Sequence, residues 1–458
     1  MRKDTLLAGL STILLLASML PAAARAADNR VLEFDFPEMR IGVAEYEGGP
    51  TGTTVFYFPK GVMGAADVRG GSPGTVNAHA VELGYEDHFV DAVVFSGGSW
   101  YGLSAATGVA NAIKDARQKA GDFDHVAGVL GGIIYDVGAR RFSRITPDDQ
   151  LGRQAFAAAE PDRFALGAHG AGRFAMQGYY FVEGQSADAF ARWPHSGQGG
   201  AFQEIGPTRV AVFTVVNALG TIVDRAGHVV RCHRNLPQTD CPPIADLLAA
   251  RRQQLAERQP ASGGPTGNTT LTLVVTNQKL PFAMLQRLAV QVHTSMARAI
   301  QPFSTEADGD VLYAVTTGEV DNPGLSPMDL GVVASELAWD AILSSVPELP
   351  TAPQSPAPGL AKKHLQVLAG TYEFPGGGRL TVQQQQGGLV ARFAGDGRSY
   401  FDEGRAYRLM PAGGTSFIVD APARDVLHFE VARHRVTGLT LNPGPWHLAA
   451  RRTAERSE

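Results

Sequence analysis

The junction between Asn268 and Thr269 is the point in the sequence where residue types and setting could do chemistry. A loop rich in proline and glycine, residues 261–267, runs directly into the apolar segment Thr269–Thr276. The Thr269 hydroxyl can attack the preceding carbonyl, and hydrolysis of the resulting ester would leave threonine at a new N-terminus. Its freed amine, with a reference pKa of about 7.7–8.0, could then accept the hydroxyl proton. Taken alone, the segment is better explained as an ordinary loop-to-strand transition.

The sequence lacks the other common catalytic arrangements. It contains no HExxH, CxxC or Walker phosphate-binding motif, and its 12 histidines include no pair spaced for a metal. The turn from Ser96 to Ser99 is similar to a nucleophile elbow, which makes these serines alternative nucleophiles, but the turn lacks the GxSxG spacing. A serine triad is not supported, because no histidine base is recognisable. We therefore expect a reaction that needs neither a metal nor an organic cofactor.

Seven short segments strengthen the case for Thr269. In chain order they are ADVRGGSPGT (66–75), VFSGGSWYGL (94–103), IYD (134–136), GAG (170–172), VNA (216–218), NTT (268–270) and DGD (308–310). Together they resemble the DmpA-type peptidase family, which comprises L-aminopeptidase/D-esterases, β-aminopeptidases and nylon-oligomer hydrolases. Each segment is a weak signal by itself, whereas seven in the same order are a strong one.

The resemblance implies a role for each residue of the site. Family members cleave themselves before a serine or threonine, which matches Thr269, and this new N-terminal residue becomes the nucleophile. Asp308 and Asp310 match the acidic pair of the nylon-oligomer hydrolases, and like charges this close raise the pKa of one carboxyl. Asn217 matches an amide that stabilises the oxyanion. Tyr135 matches a tyrosine that lines the site and hydrogen-bonds the intermediate.

The substrate class stays open between two kinds of amide. Asp308 favours a linear amide oligomer, because the family's aminopeptidases tend to have serine at this position. Ile133 stands where some aminopeptidases have an acidic residue, and Gln198 stands where the family often has lysine, so a peptide N-terminus is less favoured. Two other hypotheses are an acetyltransferase of the same architecture, which export disfavours, and a catalytically silent binding protein, which the intact Thr/Asp/Asp/Asn set disfavours.

The elements that must position these residues alternate between strands and helices. Apolar runs predict buried strands, and runs with a helical apolar face predict helices. The predicted strands are 40–44, 53–58, 92–95, 210–216, 269–276 and 311–316, with helices at 101–114 and 281–300. This alternation indicates an α/β domain, and the resemblance implies a four-layer α/β/β/α sandwich. It also implies homo-oligomers of processed heterodimers, each made of fragments 27–268 and 269–458.

Composition divides the chain into regions. Residues 1–26 have the basic, apolar and small-residue parts of a secretory signal peptide, so we expect a secreted or periplasmic protein; an uncleaved membrane anchor is the alternative. The proline-rich stretch 350–359 predicts a linker after the self-cleaving hydrolase domain, 27–349. Residues 360–452 carry short strands and glycine turns at regular spacing, which predicts a small all-β barrel.

Charge and cysteine content limit the partners. A net charge of -5 and a pI near 6.2 provide no basic surface for nucleic acid. Past the signal peptide, no stretch is apolar enough to span a membrane. The expected partner is therefore a peptide or amide-oligomer substrate. The two cysteines, Cys232 and Cys241, can pair in an exported chain, and two free thiols are the alternative.

Overall fold

The N-terminal domain is built around a sheet that turns back on itself. The computed structural model describes residues 29–83, 89–117, 126–182, 184, 186–235, 241–257, 267–322, 324–348, 362–395, 400–432 and 435–453. The predicted signal peptide and linker lie outside these ranges. None of the described helices is long and apolar enough to cross a membrane.

Nine strands form this sheet within the described part of the chain. They are β2 (Arg40–Tyr46), β3 (Thr51–Val68), β4 (Thr75–Val76), β5 (Phe89–Ser96), β6 (Val129–Ile133), β8 (Gln198–Ile205), β9 (Thr208–Asn217), β11 (Thr269–Gln278) and β13 (Val311–Val320). Beside it, β1 (Val31–Glu33) pairs with β7 (Arg163–Ala165), and β10 (Thr221–Ile222) pairs with β12 (Ile300–Gln301). Strand β3 joins the two halves, because its first part pairs with β2 and its second part with β13.

The described residues form eight α-helices. They are α1 (Ala78–Glu82), α2 (Ser104–Arg117), α3 (Asp149–Ala157), α4 (Ala187–Ala191), α5 (Ile244–Ala256), α6 (Phe282–Ser295), α7 (Pro327–Ser344) and α8 (Lys362–Leu368). The predicted helix 101–114 begins later, after a 3-10 helix at Ser99–Leu103. The predicted helix 281–300 is α6, followed by the 3-10 helix Met296–Arg298.

Two sheet halves pack face to face between two helix layers, which confirms the four-layer α/β/β/α sandwich. Phe56 and Phe95 of the β3–β5 half share a core with Phe213 and Leu273 of the β9–β11 half. A second cluster joins the outer face of the first half to α2 and α3, and a third joins the other half to α6 and α7. Strand β11 is buried at every position, since it is covered on both faces, and this explains its continuous apolar and β-branched sequence.

The C-terminal strands close into an antiparallel barrel, which confirms the predicted all-β domain. The strands are β14 (Gly370–Glu373), β15 (Arg379–Gln385), β16 (Gly388–Ala394), β17 (Ala406–Gly413), β18 (Ser416–Val419), β19 (Val426–Ala432), β20 (Arg435–Leu441) and β21 (Leu448–Arg452). Pairing of β14 with β21 completes the closure. Side chains such as Tyr372, Leu389 and Phe429 are buried in the barrel.

A shared core fastens the barrel to the α/β domain. Phe190 of the α/β domain belongs to the same buried cluster as Tyr400 and Trp446 of the barrel. The guanidinium of Arg234 lies over the rings of Phe190 and Tyr400, and it forms an ion pair with Asp425 of the barrel at 2.8 Å. The barrel is therefore docked through buried apolar and charged contacts.

A disulfide bond lies close to Arg234 in the sequence. Cys232 and Cys241 are joined, with their Cα atoms 5.6 Å apart. Of the two alternatives for these cysteines, the structure shows the paired one. The bond constrains the backbone two residues before the arginine that holds the barrel.

Candidate active site

Strand register brings the predicted catalytic residues together. Strands β9 and β11 are antiparallel, so Asn217 at the end of β9 lies directly opposite Thr269 at the start of β11. Strand β13 runs parallel to β11 on its other side, and just before these two strands Asn268 bridges Asp308. Asp310 therefore lies beside the first residues of β11. Four of the five predicted residues meet at one end of the central strands.

The peptide bond before Thr269 has two donors on its carbonyl oxygen. The Thr269 hydroxyl donates to the carbonyl oxygen of Asn268 at 2.5 Å. The N–H of Gly309 donates to the same oxygen at 2.7 Å, and the N–H of Asn268 donates to the carbonyl of Ala307 at 3.1 Å. Two donors on one oxygen increase the positive charge on the carbonyl carbon, which favours attack by a hydroxyl.

Residue 309 has to be glycine for this arrangement. A Cβ atom at Gly309 would lie 2.7 Å from the hydroxyl oxygen of Thr269 and 2.7 Å from the carbonyl oxygen of Ser72. A side chain there would collide with both oxygens. The glycine between the two aspartates thus allows the backbone of residue 309 to approach Thr269 closely.

Asp310 is completely buried and accepts hydrogen bonds on both carboxylate oxygens. One oxygen accepts from the N–H of Thr270 at 2.6 Å. The other accepts from the N–H of Ser304 at 3.0 Å and from its hydroxyl at 3.3 Å. Burial, followed by the neighbouring charge of Asp308, raises the pKa of Asp310 to about 8. The two carboxyl groups therefore hold a proton near neutral pH.

Asp308 is also buried and is anchored by three donors. One carboxylate oxygen accepts from the Thr305 hydroxyl at 2.7 Å and from the Thr305 N–H at 3.0 Å, and the other accepts from the N–H of Leu219 at 3.2 Å. Burial raises the pKa of Asp308, and these hydrogen bonds oppose the rise. Among the described residues, no arginine or lysine forms an ion pair with Asp308 or Asp310.

The carboxamide of Asn217 is oriented by two backbone groups. Its oxygen accepts from the N–H of Met176 at 3.1 Å, and its nitrogen donates to the carbonyl of Tyr135 at 3.1 Å. Because the backbone N–H can only donate, the contact with Met176 fixes which end of the amide is the oxygen. The amide nitrogen has a second hydrogen, which can be donated to an oxyanion.

Tyr135 lies against the chain that leads into the Asn268–Thr269 peptide bond. A Cβ atom at Gly267 would be 2.9 Å from Cγ of the Tyr135 ring, so the ring packs directly on this glycine. The ring is half-buried. The structure thus places Tyr135 next to Asn268 and Thr269, where the sequence resemblance expects a residue that lines the site.

Of the two alternative nucleophiles, Ser96 is buried inside the fold and Ser99 is half-buried. The Ser96 hydroxyl shares a hydrogen bond of 2.9 Å with that of Thr53. The N–H of Ser99 donates to the carbonyl of Ile134 at 3.0 Å. In the described part of the chain, neither serine has an imidazole or carboxylate among its hydrogen-bond partners. Thr269 is the better supported nucleophile.

Comparison with known proteins decides the family. A family model described as peptidase family S58 matches residues 34–349. The chain belongs to peptidase family S58. This membership confirms the resemblance inferred from the seven segments, and it makes the protein a hydrolase of amide or peptide bonds. The match ends at residue 349, before the barrel.

Several S58 relatives are curated proteins. A 6-aminohexanoate-oligomer endohydrolase of Paenarthrobacter ureafaciens is 38% identical over 336 residues, which cover 71% of this chain and 88% of that protein. A putative NylC-analogous protein of an Agromyces species is 39% identical over 327 residues, which cover 69% of this chain and 99% of that protein. An uncharacterized aminopeptidase of Mycobacterium tuberculosis is 33% identical over 282 residues, with coverage of 56% and 74%.

Solved structures with similar backbones include two aminopeptidases. A Burkholderia β-aminopeptidase superposes with a TM-score of 0.46 at 17% identity, covering 69% of this chain and 87% of that chain. An L-aminopeptidase D-Ala-esterase/amidase of Ochrobactrum anthropi gives a TM-score of 0.47 at 16% identity, with coverage of 67% and 83%.

Two hydroxyl residues of this S58 site were missed by the sequence reasoning. Ser304 and Thr305 donate to Asp310 and Asp308 respectively, each through its N–H and its hydroxyl. The signal that could have found them is a Ser-Thr pair placed three to six residues before two aspartates. Serine and threonine often hydrogen-bond to nearby acidic groups in turns.

A buried ion pair beside Tyr135 was missed as well. Asp136 and Arg140 are both buried, and they pair at 2.8 Å. Asp136 also accepts from the N–H of Gly98 at 2.8 Å and from the hydroxyl of Thr51 at 2.9 Å. The four-residue spacing of an acid and an arginine was the available sequence signal. This pair fixes the turn that follows Tyr135.

Proposed function

We propose that this S58 hydrolase cuts its own chain between Asn268 and Thr269 and then uses Thr269 as an N-terminal nucleophile. The observation that carries the proposal is the convergence of two donors on the carbonyl oxygen of Asn268, the Thr269 hydroxyl at 2.5 Å and the Gly309 N–H at 2.7 Å. The first contact holds the hydroxyl oxygen beside the carbonyl group that it would attack, and the Gly309 N–H can stabilise the resulting oxyanion.

The self-cleavage proceeds in two steps. First, the Thr269 oxygen bonds to the carbonyl carbon of Asn268 and passes its proton to the Asp308–Asp310 pair, while the Gly309 N–H stabilises the oxyanion. The carbon–nitrogen bond then breaks, the nitrogen takes a proton back, and an ester remains. Second, water hydrolyses the ester, which yields the Asn268 carboxylate and a Thr269 residue with free amine and hydroxyl groups.

Substrate turnover repeats the same chemistry on another molecule. The Thr269 hydroxyl attacks the substrate carbonyl, its own amine or the aspartate pair accepts the proton, and Asn217 donates to the oxyanion. The substrate amine leaves with a proton, and the acyl group stays on Thr269 until water removes it. Tyr135, packed beside the junction, would line the acyl group.

The substrate class that these observations favour is a linear aliphatic amide oligomer. The S58 relatives at 38% identity are named 6-aminohexanoate-oligomer endohydrolases. Apolar side chains also lie near the site: Pro73 packs against Gly309, and a Cβ atom at the next residue, Gly74, would lie 2.5 Å from Ile133 and 2.9 Å from Trp100, which is 70% exposed. The second candidate is an aminopeptidase substrate, since relatives at 33% identity are named aminopeptidases.

We further propose that the protein is exported and assembles as a homo-oligomer of processed heterodimers. Export is supported by the signal-like residues 1–26 and by the disulfide between Cys232 and Cys241, because such bonds persist in oxidising compartments. N-terminal sequencing of the secreted chain tests the first part, with a start near Ala27 expected. Light scattering of the purified protein tests the second, and a single processed heterodimer in solution would contradict it.

Intact-mass analysis tests the cleavage. The wild type should give two fragments divided after Asn268, and Thr269→Ala should give one unbroken chain. Thr270→Val is the matched control, because it removes a neighbouring threonine hydroxyl that is buried without a hydrogen-bond partner among the described residues. The control should still cleave. A wild type that stays unbroken and yet hydrolyses amides would overturn the proposal.

A panel of substrates distinguishes the two substrate classes. Linear 6-aminohexanoate oligomers, with and without a blocked amine, should be cut at similar rates if internal amide bonds are recognised. Amino-acid p-nitroanilides should be poor substrates. Strict dependence on a free α-amine would favour the aminopeptidase candidate instead.

A further inference from the structure

The barrel lies beyond the region matched by the S58 family, yet the structure connects it to Asn217. We propose that the barrel is a positioning element of the active site: Trp446, stacked on His195, holds the segment that orients the Asn217 carboxamide. This inference rests on the proposed role of Asn217 as an oxyanion donor. We call residues 194–197 the supporting segment.

The first link is a ring contact between the two domains. The rings of His195 and Trp446 are nearly parallel, with centroids 4.0 Å apart and an angle of 5° between planes. Phe174 packs edge-on against His195 at 4.9 Å. Burial, and then the nearby Arg234 charge, hold the pKa of His195 well below its usual value, so the imidazole is neutral. A neutral buried ring can pack against Trp446 without a charge to desolvate.

This contact depends on ring packing and not on hydrogen bonds. In the described part of the chain, neither Nδ1 of His195 nor Nε1 of Trp446 has a hydrogen-bond partner. An aromatic ring without the indole N–H should therefore serve nearly as well at position 446. Replacement by a small side chain should leave a cavity against His195.

The second link joins the supporting segment to the residues that contact Asn217. Met176 and His195 are paired as an antiparallel bridge. On either side of this bridge, the N–H of Ser196 donates to the carbonyl of Ala175, and the N–H of Gln177 donates to the carbonyl of Pro194, both at 3.0 Å. The backbone of Met176 therefore moves with His195.

The third link reaches Asn217 by two routes. The N–H of Met176 donates to the Asn217 side-chain oxygen at 3.1 Å. Independently, the Ser196 hydroxyl donates to the carbonyl of Val216 at 2.6 Å, and the N–H of Val216 donates to the carbonyl of Gly197 at 2.9 Å. The supporting segment thus fixes both the carboxamide of Asn217 and the backbone immediately before it.

These links place Trp446 three contacts away from the proposed oxyanion donor. A misplacement of about 1 Å at a catalytic group can lower a rate about a hundredfold. A loosened supporting segment should cost less than removal of the amide, and we expect a drop in kcat of about tenfold. KM should change little, because an oxyanion donor acts mainly in the transition state.

The test compares three variants of the full, processed protein. Trp446→Ala should lower kcat about tenfold, and Trp446→Phe should stay within about twofold of the wild type. Phe429→Ala is the matched control, since its ring is buried in the barrel against Tyr372 and Phe417. It should leave kcat within about twofold. If Trp446→Ala does not fold, Trp446→Leu replaces it, because leucine keeps most of the volume without a planar ring.

A double-variant cycle identifies the route of the effect. In an Asn217→Ala background, Trp446→Ala should have no further effect on kcat, because the group that it positions is already absent. An equal effect of Trp446→Ala in both backgrounds, or an equal loss in Phe429→Ala, would overturn the inference. If Asn217→Ala alone leaves kcat unchanged, the proposed role of Asn217 fails instead.

Discussion

Two groups of buried carboxylates in this protein have opposite settings. Asp308 and Asp310 at the active site are 1% and 0% exposed, and in the described structure they are held by N–H and O–H donors without a cation. Asp425, at the barrel interface, is equally buried but pairs with the buried guanidinium of Arg234 at 2.8 Å. Aspartate carboxylates are thus buried in two settings, one beside a balancing cation and one without a cation.

The difference separates a structural role, for Asp425, from the catalytic role that we propose for Asp308 and Asp310. A buried carboxylate beside an arginine holds two elements together through the ion pair. Two carboxylates that crowd each other without a cation have raised pKa values, and they can exchange a proton near neutral pH. Burial alone therefore does not identify a catalytic acid; the neighbouring charge does.

The largest expected effect is a loss of activity when the Asp308–Asp310 pair, which has no cation beside it, is altered. Asp310→Asn keeps the shape of the side chain but cannot exchange a proton, so kcat should fall by about a hundred- to ten-thousand-fold. Steady-state kinetics measures the fall, and thermal melting checks that the fold is retained. Activity close to that of the wild type would remove Asp310 from the catalytic group.

The next largest effect is a loss of folding stability when the Arg234–Asp425 ion pair is broken. Arg234→Met leaves Asp425 buried without its cationic partner, although the carboxamides of Asn235 and Asn442 still donate to it. The free energy of unfolding should fall by about 3–5 kcal/mol. Urea denaturation measures the loss. The double variant Arg234→Met with Asp425→Asn should recover part of it, because the uncompensated charge is gone. A single variant as stable as the double one would contradict the contrast between the two sites.

A smaller effect, counted per pH unit, is expected in the pH dependence of stability. The raised pKa means that the folded state favours the neutral carboxyl of Asp310, so this contribution is complete below the unfolded pKa near 4 and is lost as pH rises through about 8. The loss is at most about 1.4 kcal/mol per pH unit. Asp310→Asn should remove this part of the slope in melts between pH 5 and 9. Parallel slopes would show that Asp310 is not neutral in the fold.

The smallest effect concerns the donors to the pair. Thr305→Val removes the 2.7 Å hydrogen bond to Asp308, which should raise the pKa of Asp308 further. The acid side of the kcat/KM profile should then move to higher pH by about one unit. Ser304→Ala, which removes a longer 3.3 Å contact to Asp310, should produce the smaller shift. Equal shifts, or none, would place the titrating group elsewhere.

The sequence predicted the strands that carry the site but not all of their neighbours. Strands β9 and β11 are continuous apolar runs and were found, whereas β6 and β8 contain glycine pairs and were not predicted. Packing explains the glycines: a Cβ atom at Gly132 would lie 2.8 Å from Leu271, and one at Gly199 would lie 1.9 Å from the carbonyl oxygen of Ala341. A single sequence does not show which residues of different layers approach each other this closely.

The residues of the candidate site could be predicted from the sequence, whereas the long-range contacts that hold the surrounding structure could not. Thr269, Asn217 and the aspartate pair were inferred from ordered segments, and strand register brings them together. The Arg234–Asp425 pair joins residues 191 positions apart, and the stack of His195 on Trp446 joins two domains. No local spacing signals such contacts, so they could be recognised only once the fold was known.

The most direct test of the central claim is to trap the acyl group and locate it. A slowly hydrolysed amide or ester is mixed with the processed protein, the reaction is stopped with acid, and the digested fragments are analysed by mass spectrometry. The acyl mass should be found on the peptide that begins at Thr269 and should be absent from Thr269→Ala. Acyl mass on Ser96 or Ser99, with the chain unbroken before Thr269, would contradict the account.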